Sequence, residues 1–209
     1  MLAKPAEQTP LTALMLADIL YRAGLPAGVC NVVTGTGIEV GSPLVAHPDV
    51  RHVTFTGSVR TGIGVMQAAA PNVTSVVLEL GGKSPVVVMA DANLEAAIEG
   101  ILGAIYENAG QICSAGSRLV VERAVHQELV DRLATRASAL KPGHGLRRPD
   151  VGALNSAAHL EKVAGYVEAA KARGIAIAAG GARTVDPQSG QGWFFQPTIL
   201  DKVTPEDPV

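Results

Sequence analysis

The stretch Val76-Val77-Leu78-Glu79-Leu80-Gly81-Gly82-Lys83-Ser84-Pro85-Val86-Val87-Val88-Met89 holds two short apolar runs separated by a glycine pair. Runs of that length, β-branched and bounded by Gly and Pro, read as strands over residues 76–80 and 86–89. Upstream, residues 53–56 (Val-Thr-Phe-Thr) read as a strand, Gly57-Ser58 as a turn and about 60–70 as a helix. Residues 29–33 read as an earlier strand. Before it, Thr9 reads as an N-cap with Pro10 at the first helical position. Leu11, Leu14, Met15, Ala17 and Ile19 give that helix its apolar spacing, and Gly24 its C-cap. Downstream, 93–108 reads as a helix with Leu94, Ala97, Ile98, Ile101, Leu102 and Ile105 on one face. A strand at 119–122, helices at 125–140 and 160–172, and a strand at 175–179 follow, with Trp193-Phe194-Phe195 as hairpin packing. Strands alternating with helices predict an α/β fold of parallel sheets under helical cover, and Gly81-Gly82 marks the boundary between two lobes, 1–80 and 81–209.

Composition narrows the function classes. The chain has 209 residues, 47% apolar and 17% charged, which is globular rather than disordered. Its net charge is −2, and no basic stretch stands out, which argues against a nucleic-acid surface or a polybasic membrane patch. Apolar runs such as 85–90 are too short to cross a bilayer, and the first residues lack a secretory apolar region. Cys30 and Cys113 make no disulfide framework, so the default setting is cytoplasmic. The five histidines are scattered without ligand spacing, so no zinc site is expected. Both ends read as cut: Met1-Leu2-Ala3 runs straight into Lys4-Pro5 with no element before it, and Thr204 to Val209 stops in a loop.

Three segments are candidates for chemistry. Gly110-Gln111-Ile112-Cys113-Ser114-Ala115-Gly116-Ser117 places a Cys just past a helix among small residues, with room for a substrate and for a backbone N–H facing it. The same spacing suits a buried Cys acting as a small hydrophobe. In Leu78 to Pro85, Glu79 ends an apolar strand, where partial desolvation would move it toward a base's working range. Taken alone, a pairing of Glu79 with Lys83 explains that residue better. Phe55-Thr56-Gly57-Ser58-Val59-Arg60-Thr61-Gly62 is a strand, a Gly turn and a helix start, a ready phosphate cradle or an ordinary βα turn. Gly35-Thr36-Gly37-Ile38-Glu39-Val40-Gly41 has one residue too many for the usual dinucleotide fingerprint and reads as a turn bordering the cofactor. Cys30 reads as core.

Together these segments resemble the aldehyde dehydrogenase superfamily from Lys4 nearly to the end of the chain. Lys4-Pro5-Ala6-Glu7-Gln8-Thr9-Pro10 resembles its adenosine-ribose segment, Phe55-Thr56-Gly57-Ser58 with Gly62 its nucleotide turn, and Leu78 to Pro85 its glutamate signature. Asn108 to Ser117 resembles its cysteine signature, and Phe195-Gln196-Pro197-Thr198-Ile199-Leu200 its late strand. The fold implied is a partial Rossmann-like NAD-binding lobe followed by a partial α/β catalytic lobe. The reaction implied is oxidation of a small aldehyde to a carboxylic acid with NAD. Cys113 would be the nucleophile, its own N–H an oxyanion donor and Glu79 the general base. Lys4 and Glu7 would hold the adenosine ribose, Gly57 and Ser58 the pyrophosphate, and the Leu80 backbone the nicotinamide end, with Gly62 of the nucleotide turn and Gly37 among the cofactor-binding residues. A carboxylate at the ribose 2′ position accepts from a hydroxyl and repels a phosphate, so Glu7 implies NAD over NADP.

The resemblance also implies what this stretch lacks. The family's oxyanion Asn lies upstream of Lys4, its second ribose-binding Glu would follow Val209, and the first strand leading into Lys-Pro is expected to be gone. The intact family member is expected as a homo-oligomer, through a pairing strand beyond this stretch. A poorly folded or inactive chain is therefore expected. The alternative, a non-catalytic cofactor-binding or partner-docking piece, leaves a retained Cys113, Glu79 and Lys4 without a use.

Overall fold

The computed structural model describes residues 1–207 and 209; Pro208, in the expected C-terminal loop, lies outside the described residues. Contacts divide the chain into two units, Met1–Gly81 and Gly82–Val209.

The first unit opens on a strand where none was expected. β1 (Leu2–Ala3) leads directly into Lys4 and pairs in parallel with β2 (Asn31–Val32). Between them α1 (Leu11–Arg22) starts one residue later than the Thr9 reading: Pro10 occupies the cap position and no side chain caps the helix. Its end is as the glycine foretold. Gly24 takes φ +89, and the amides of Gly24 and Leu25 donate back to the carbonyls of Tyr21 and Leu20 at 3.0 Å each. The helix buries a different face from the expected one. Ala13, Ala17 and Leu20 are half-buried, while Leu11, Leu14, Met15 and Ile19 are exposed. Segment 34–41, expected as a turn, holds instead a π-helical turn, Gly37–Gly41, running into α2 (Ser42–Ala46). Thr36 caps it by accepting from the Glu39 N–H at 3.1 Å.

β3 (His52–Gly57), α3 (Val59–Ala69) and β4 (Ser75–Leu80) then form a βαβ unit. The strands pair in parallel from His52 opposite Ser75 to Gly57 opposite Leu80. Gly62, Val65 and Ala69 are the buried side of α3. A Cβ at Gly62 would stand 2.8 Å from Leu80 Cδ2, so the bare backbone is what lets the helix lie this close to β4.

The second unit holds most of the buried core. β5 (Pro85–Val88) pairs in parallel with β6 (Arg118–Val121). α4 (Leu94–Tyr106), capped by Asn93, and α5 (Arg123–Ala139) pack against them around Val88, Ile98, Ile101, Leu129 and Leu133. α6 (Ala157–Ala172), capped by Ser156, begins three residues before the expected start. Parallel pairing ends here. β7 (Ala176–Ala179) pairs antiparallel with β10 (Ile199–Asp201), and β8 (Arg183–Thr184) antiparallel with β9 (Phe194–Phe195). Gly180 and Gly181, both at positive φ, end β7, and the chain returns to it antiparallel only at β10, after the β8–β9 pair.

Asp186 fastens two loops of this unit. Its carboxylate, only 3% exposed, accepts from the Arg147 guanidinium, the Ser189 hydroxyl at 2.7 Å, the Ser189 N–H at 2.9 Å and the His144 N–H at 3.3 Å. Arg147 first, then Ser189, hold its carboxyl well below the usual carboxylate range.

Burial is uneven. Among the described residues, the buried apolar side chains of the first unit are Val65 and Ala69; those from Val88 to Phe194 belong to the second. We expect hydrogen exchange of the isolated chain to find residues 1–81 weakly protected and the α4–α5 core well protected, with no single cooperative thermal transition. One coincident transition by all probes would contradict this. A second expectation concerns acid. Because Asp186 titrates lower in the fold than in the unfolded chain, its contribution is complete above about pH 4 and is lost as pH falls below that. The midpoint followed by the single Trp193 should drop between pH 5 and 2, and Asp186→Asn should lower the neutral-pH midpoint and flatten that slope.

Candidate active site

In the first unit the expected cofactor residues stand at the carboxyl ends of parallel strands, where open α/β sheets bind their ligands. β1 delivers Lys4, and β2 leads to Gly35 and Gly37. Lys4 Nζ donates to the carbonyls of Pro5 at 2.6 Å and Gly35 at 3.0 Å, and lies 3.9 Å from Glu7 Oε1. The Gly37 N–H donates to Glu7 Oε1 at 2.6 Å. Glu7's own backbone N–H, then that of Gly37, then the Lys4 ammonium hold its carboxyl below the ordinary range, so it is an ionised acceptor at neutral pH. These groups border a pocket of about 240 Å³ that Pro5, Glu7, Pro10, Thr34, Thr36 and Glu39 help to line.

The ends of β3 and β4 bring a second set together. Thr56 pairs with Glu79 and Gly57 with Leu80, so the expected pyrophosphate and nicotinamide contacts are neighbours on adjacent strands. Ser58 caps α3 by accepting from the Thr61 N–H at 3.2 Å, and exposed Gly57 just before it offers backbone without a side chain. Gly62, in the same turn, is buried beneath Leu80, where the missing Cβ serves helix–strand packing. Glu79 is exposed, so this chain does not supply the desolvation expected of a strand-end carboxylate. Among the described residues it makes no ion pair with Lys83 either.

Cys113 lies in the second unit, in an exposed turn beyond α4, whereas Cys30 is half-buried beside β2. Between α4 and the turn the chain passes through three left-handed residues, Asn108 (φ 49), Ala109 (φ 56) and Gly110 (φ 74). Among the described residues neither the Cys113 nor the Ser114 N–H has a hydrogen-bond acceptor. An exposed thiol beside uncommitted backbone donors is the arrangement that nucleophilic attack on a carbonyl needs. Sequence reasoning missed Gln111, whose side chain reaches the backbone of residues 153 and 155; nothing in its local spelling announces a partner 42 residues away. It also missed the Gly35 carbonyl as the acceptor that aims Lys4. Among the described residues no group of three His, Cys, Asp or Glu is placed to hold a metal, and no helix is long and apolar enough to cross a membrane.

Comparison with known proteins agrees along the whole chain. The aldehyde dehydrogenase family model matches residues 1–209. Betaine aldehyde dehydrogenase of Bacillus subtilis (strain 168) is 44% identical over 198 residues, covering 94% of this chain and 40% of that protein. 4-Trimethylaminobutyraldehyde dehydrogenase A of Danio rerio is 44% identical over 204 residues, covering 96% and 40%. The NAD+ complex of an aldehyde dehydrogenase from Bacillus cereus superposes with a TM-score of 0.94 at 42% identity, covering 99% of this chain and 42% of that one. The chain thus spans 40 to 42% of the length of these relatives. With its βαβ unit, its strand-end residues and its cysteine turn all in this pattern, the chain belongs to the aldehyde dehydrogenase family.

Proposed function

We propose that this chain carries the nucleophile, the general base and most of the NAD contacts of an enzyme that oxidises an aldehyde to a carboxylic acid in the cytoplasm. The observation that carries the reading is the exposed Cys113 turn with its unbonded N–H groups. The Cys113 thiolate attacks the aldehyde carbon, and the oxyanion so formed takes a hydrogen bond from the Cys113 N–H. NAD+, when bound, accepts the hydride, and the sulfur is left as a thioester. Glu79 takes a proton from a water that adds to the thioester, and the C–S bond breaks to release the acid and the thiolate. Residues 1–80 carry the cofactor contacts and the general base Glu79, and 81–209 the nucleophile Cys113. The relatives named for betaine aldehyde and 4-trimethylaminobutyraldehyde make quaternary-ammonium aldehydes the first substrates to try.

The residues fit NAD at two places. Lys4 and the ionised Glu7 meet at one pocket, suited to ribose hydroxyls as acceptor partners and donors. Exposed Gly57 and the capped start of α3 suit a pyrophosphate. Glu79 is exposed here, and residues 1–209 span about 40% of the length of the B. subtilis relative, which leaves the rest of the site to residues outside this stretch. A single oxyanion donor is worth about two to three orders of magnitude in turnover. The chain alone is therefore expected to be silent.

The assay follows reduced nicotinamide at 340 nm with NAD+ and a panel of aldehydes. The isolated chain should give no signal. Spliced into the B. subtilis enzyme in place of the matching 198 residues, it should turn over. In that chimera Cys113→Ala should abolish the signal, whereas Glu79→Gln should leave one burst of reduced nicotinamide per site and then stall as the thioester. A Cys113→Ala chimera that still turned over would refute the assignment. In the same chimera Glu7→Ala should improve NADP affinity relative to NAD by about tenfold, because a like-charge clash at the 2′ position is removed. Equal affinity for both cofactors before the substitution would refute the NAD preference.

A further inference from the structure

The approach to the cysteine turn is held in a conformation that its sequence does not favour. Asn108 and Ala109 both lie in the left-handed region, at φ 49, ψ 33 and φ 56, ψ 32, and Ala has no side-chain hydrogen bond to support it there. Such backbone persists only where the surroundings over-determine it. Within the approach the Gln111 N–H donates to the Asn108 carbonyl at 3.1 Å, and the tie from there to a distant segment is one side chain. Gln111 Nε2 donates to the Asn108 carbonyl at 3.0 Å and to the Ala153 carbonyl at 3.2 Å, and its Oε1 accepts from the Asn155 N–H at 2.9 Å. Asn108 Nδ2 answers by donating to the Gln111 carbonyl at 3.3 Å.

The far end of this clamp is itself fixed. Leu154, between the two backbone partners, is 6% exposed, and its N–H donates to the Trp193 carbonyl at 2.8 Å. On the other side of the turn, Gly116 donates to the Ala104 carbonyl at 3.1 Å, and a Cβ there would stand 2.7 Å from Val86 Cγ2. The turn is thus held at both ends, and between the holds only Ile112, Cys113 and Ser114 are exposed.

We propose that Gln111 is the positioning residue of Cys113: its amide clamps the left-handed approach to residues 153–155 and so sets where the thiol and the unbonded N–H groups stand relative to each other. This rests on the reading of Cys113 as the nucleophile. Gln111 touches no substrate and moves no proton. It acts through the backbone, and the consequence is specific: attack on a carbonyl needs thiol and N–H together, whereas alkylation at a saturated carbon needs the thiol alone.

That difference supplies the test, made on the full chain with Cys30 as a second thiol in the same molecule. Acylation of Cys113 by p-nitrophenyl acetate expels p-nitrophenolate and leaves an acetyl thioester; alkylation by iodoacetamide expels iodide and leaves a thioether. Mass spectrometry follows both cysteines. The isostere Gln111→Met, which removes all three side-chain bonds, should slow acylation of Cys113 about tenfold or more while its alkylation stays within about twofold. Unchanged acylation would overturn the proposal, and so would a parallel fall in both rates with loss of the folded core. If Cys113 of the unaltered chain acylates no faster than Cys30, the nucleophile reading itself falls, which is a separate failure. Hydrogen exchange of the unaltered chain decides the matter even where the variant does not fold. The exposed Asn155 amide should be protected by Gln111 Oε1, and exchange at the free-peptide rate would show that the clamp does not hold.

Discussion

Parallel pairing of β3 with β4 is the constraint on which the first unit depends. Once His52 stands opposite Ser75, the alternation of side chains fixes every later pair, and Gly57 arrives beside Leu80 and Thr56 beside Glu79. A slip of one residue would turn the half-buried Val53, Phe55, Val76 and Leu78 outward. α3 can cover this pair only because Gly62 yields its side-chain volume to Leu80. The strand end proposed to receive the nucleotide and the strand end that carries the carboxylate are therefore set by one register and one missing methyl group.

The two units solve different physical problems. Gly82–Val209 buries a core of branched side chains between β5, β6, α4 and α5 and fastens its loops with an ionised, hydrogen-bonded Asp186. Met1–Gly81 buries little beyond Val65 and Ala69, and α1 contributes no buried residue at all. Area bookkeeping favours the second unit, because each large apolar side chain taken from water is worth about 1.5–3 kcal/mol. The first unit is rich instead in positioned backbone: a capped turn, a capped helix and a glycine-ended helix.

Local chemistry was legible and partner choice was not. The strands at 53–56, 76–80, 86–89 and 119–122 follow from short β-branched runs, although Val77, Val87, Met89 and Val120 stay exposed. The helix at 93–108 follows from periodicity, since its apolar face is also its buried face. On α1 the half-buried positions are Ala13, Ala17 and Leu20, and of these only Ala17 belongs to the spacing read from the sequence. Nothing local separates a turn from a π-helical turn at 37–41, where the deciding bonds are Thr36 to Glu39 and Gly37 to Glu7. Antiparallel pairing of β7 with β10 depends on residues 20 and more apart. For the site, residue types and segments were readable at Lys4, Glu7, Gly57, Ser58, Glu79, Leu80 and Cys113. The packing role of Gly62, the exposure of Glu79 and the reach of Gln111 are long-range facts, and a one-dimensional reading has no access to them.

Among the described residues every sheet has two strands, so each of the ten strands has one side with no neighbour. A row of unpaired amides and carbonyls accepts whatever extended chain meets it first. During synthesis this stretch therefore presents many competing templates at once, and the order in which further chain becomes available selects between correct pairing and aggregation.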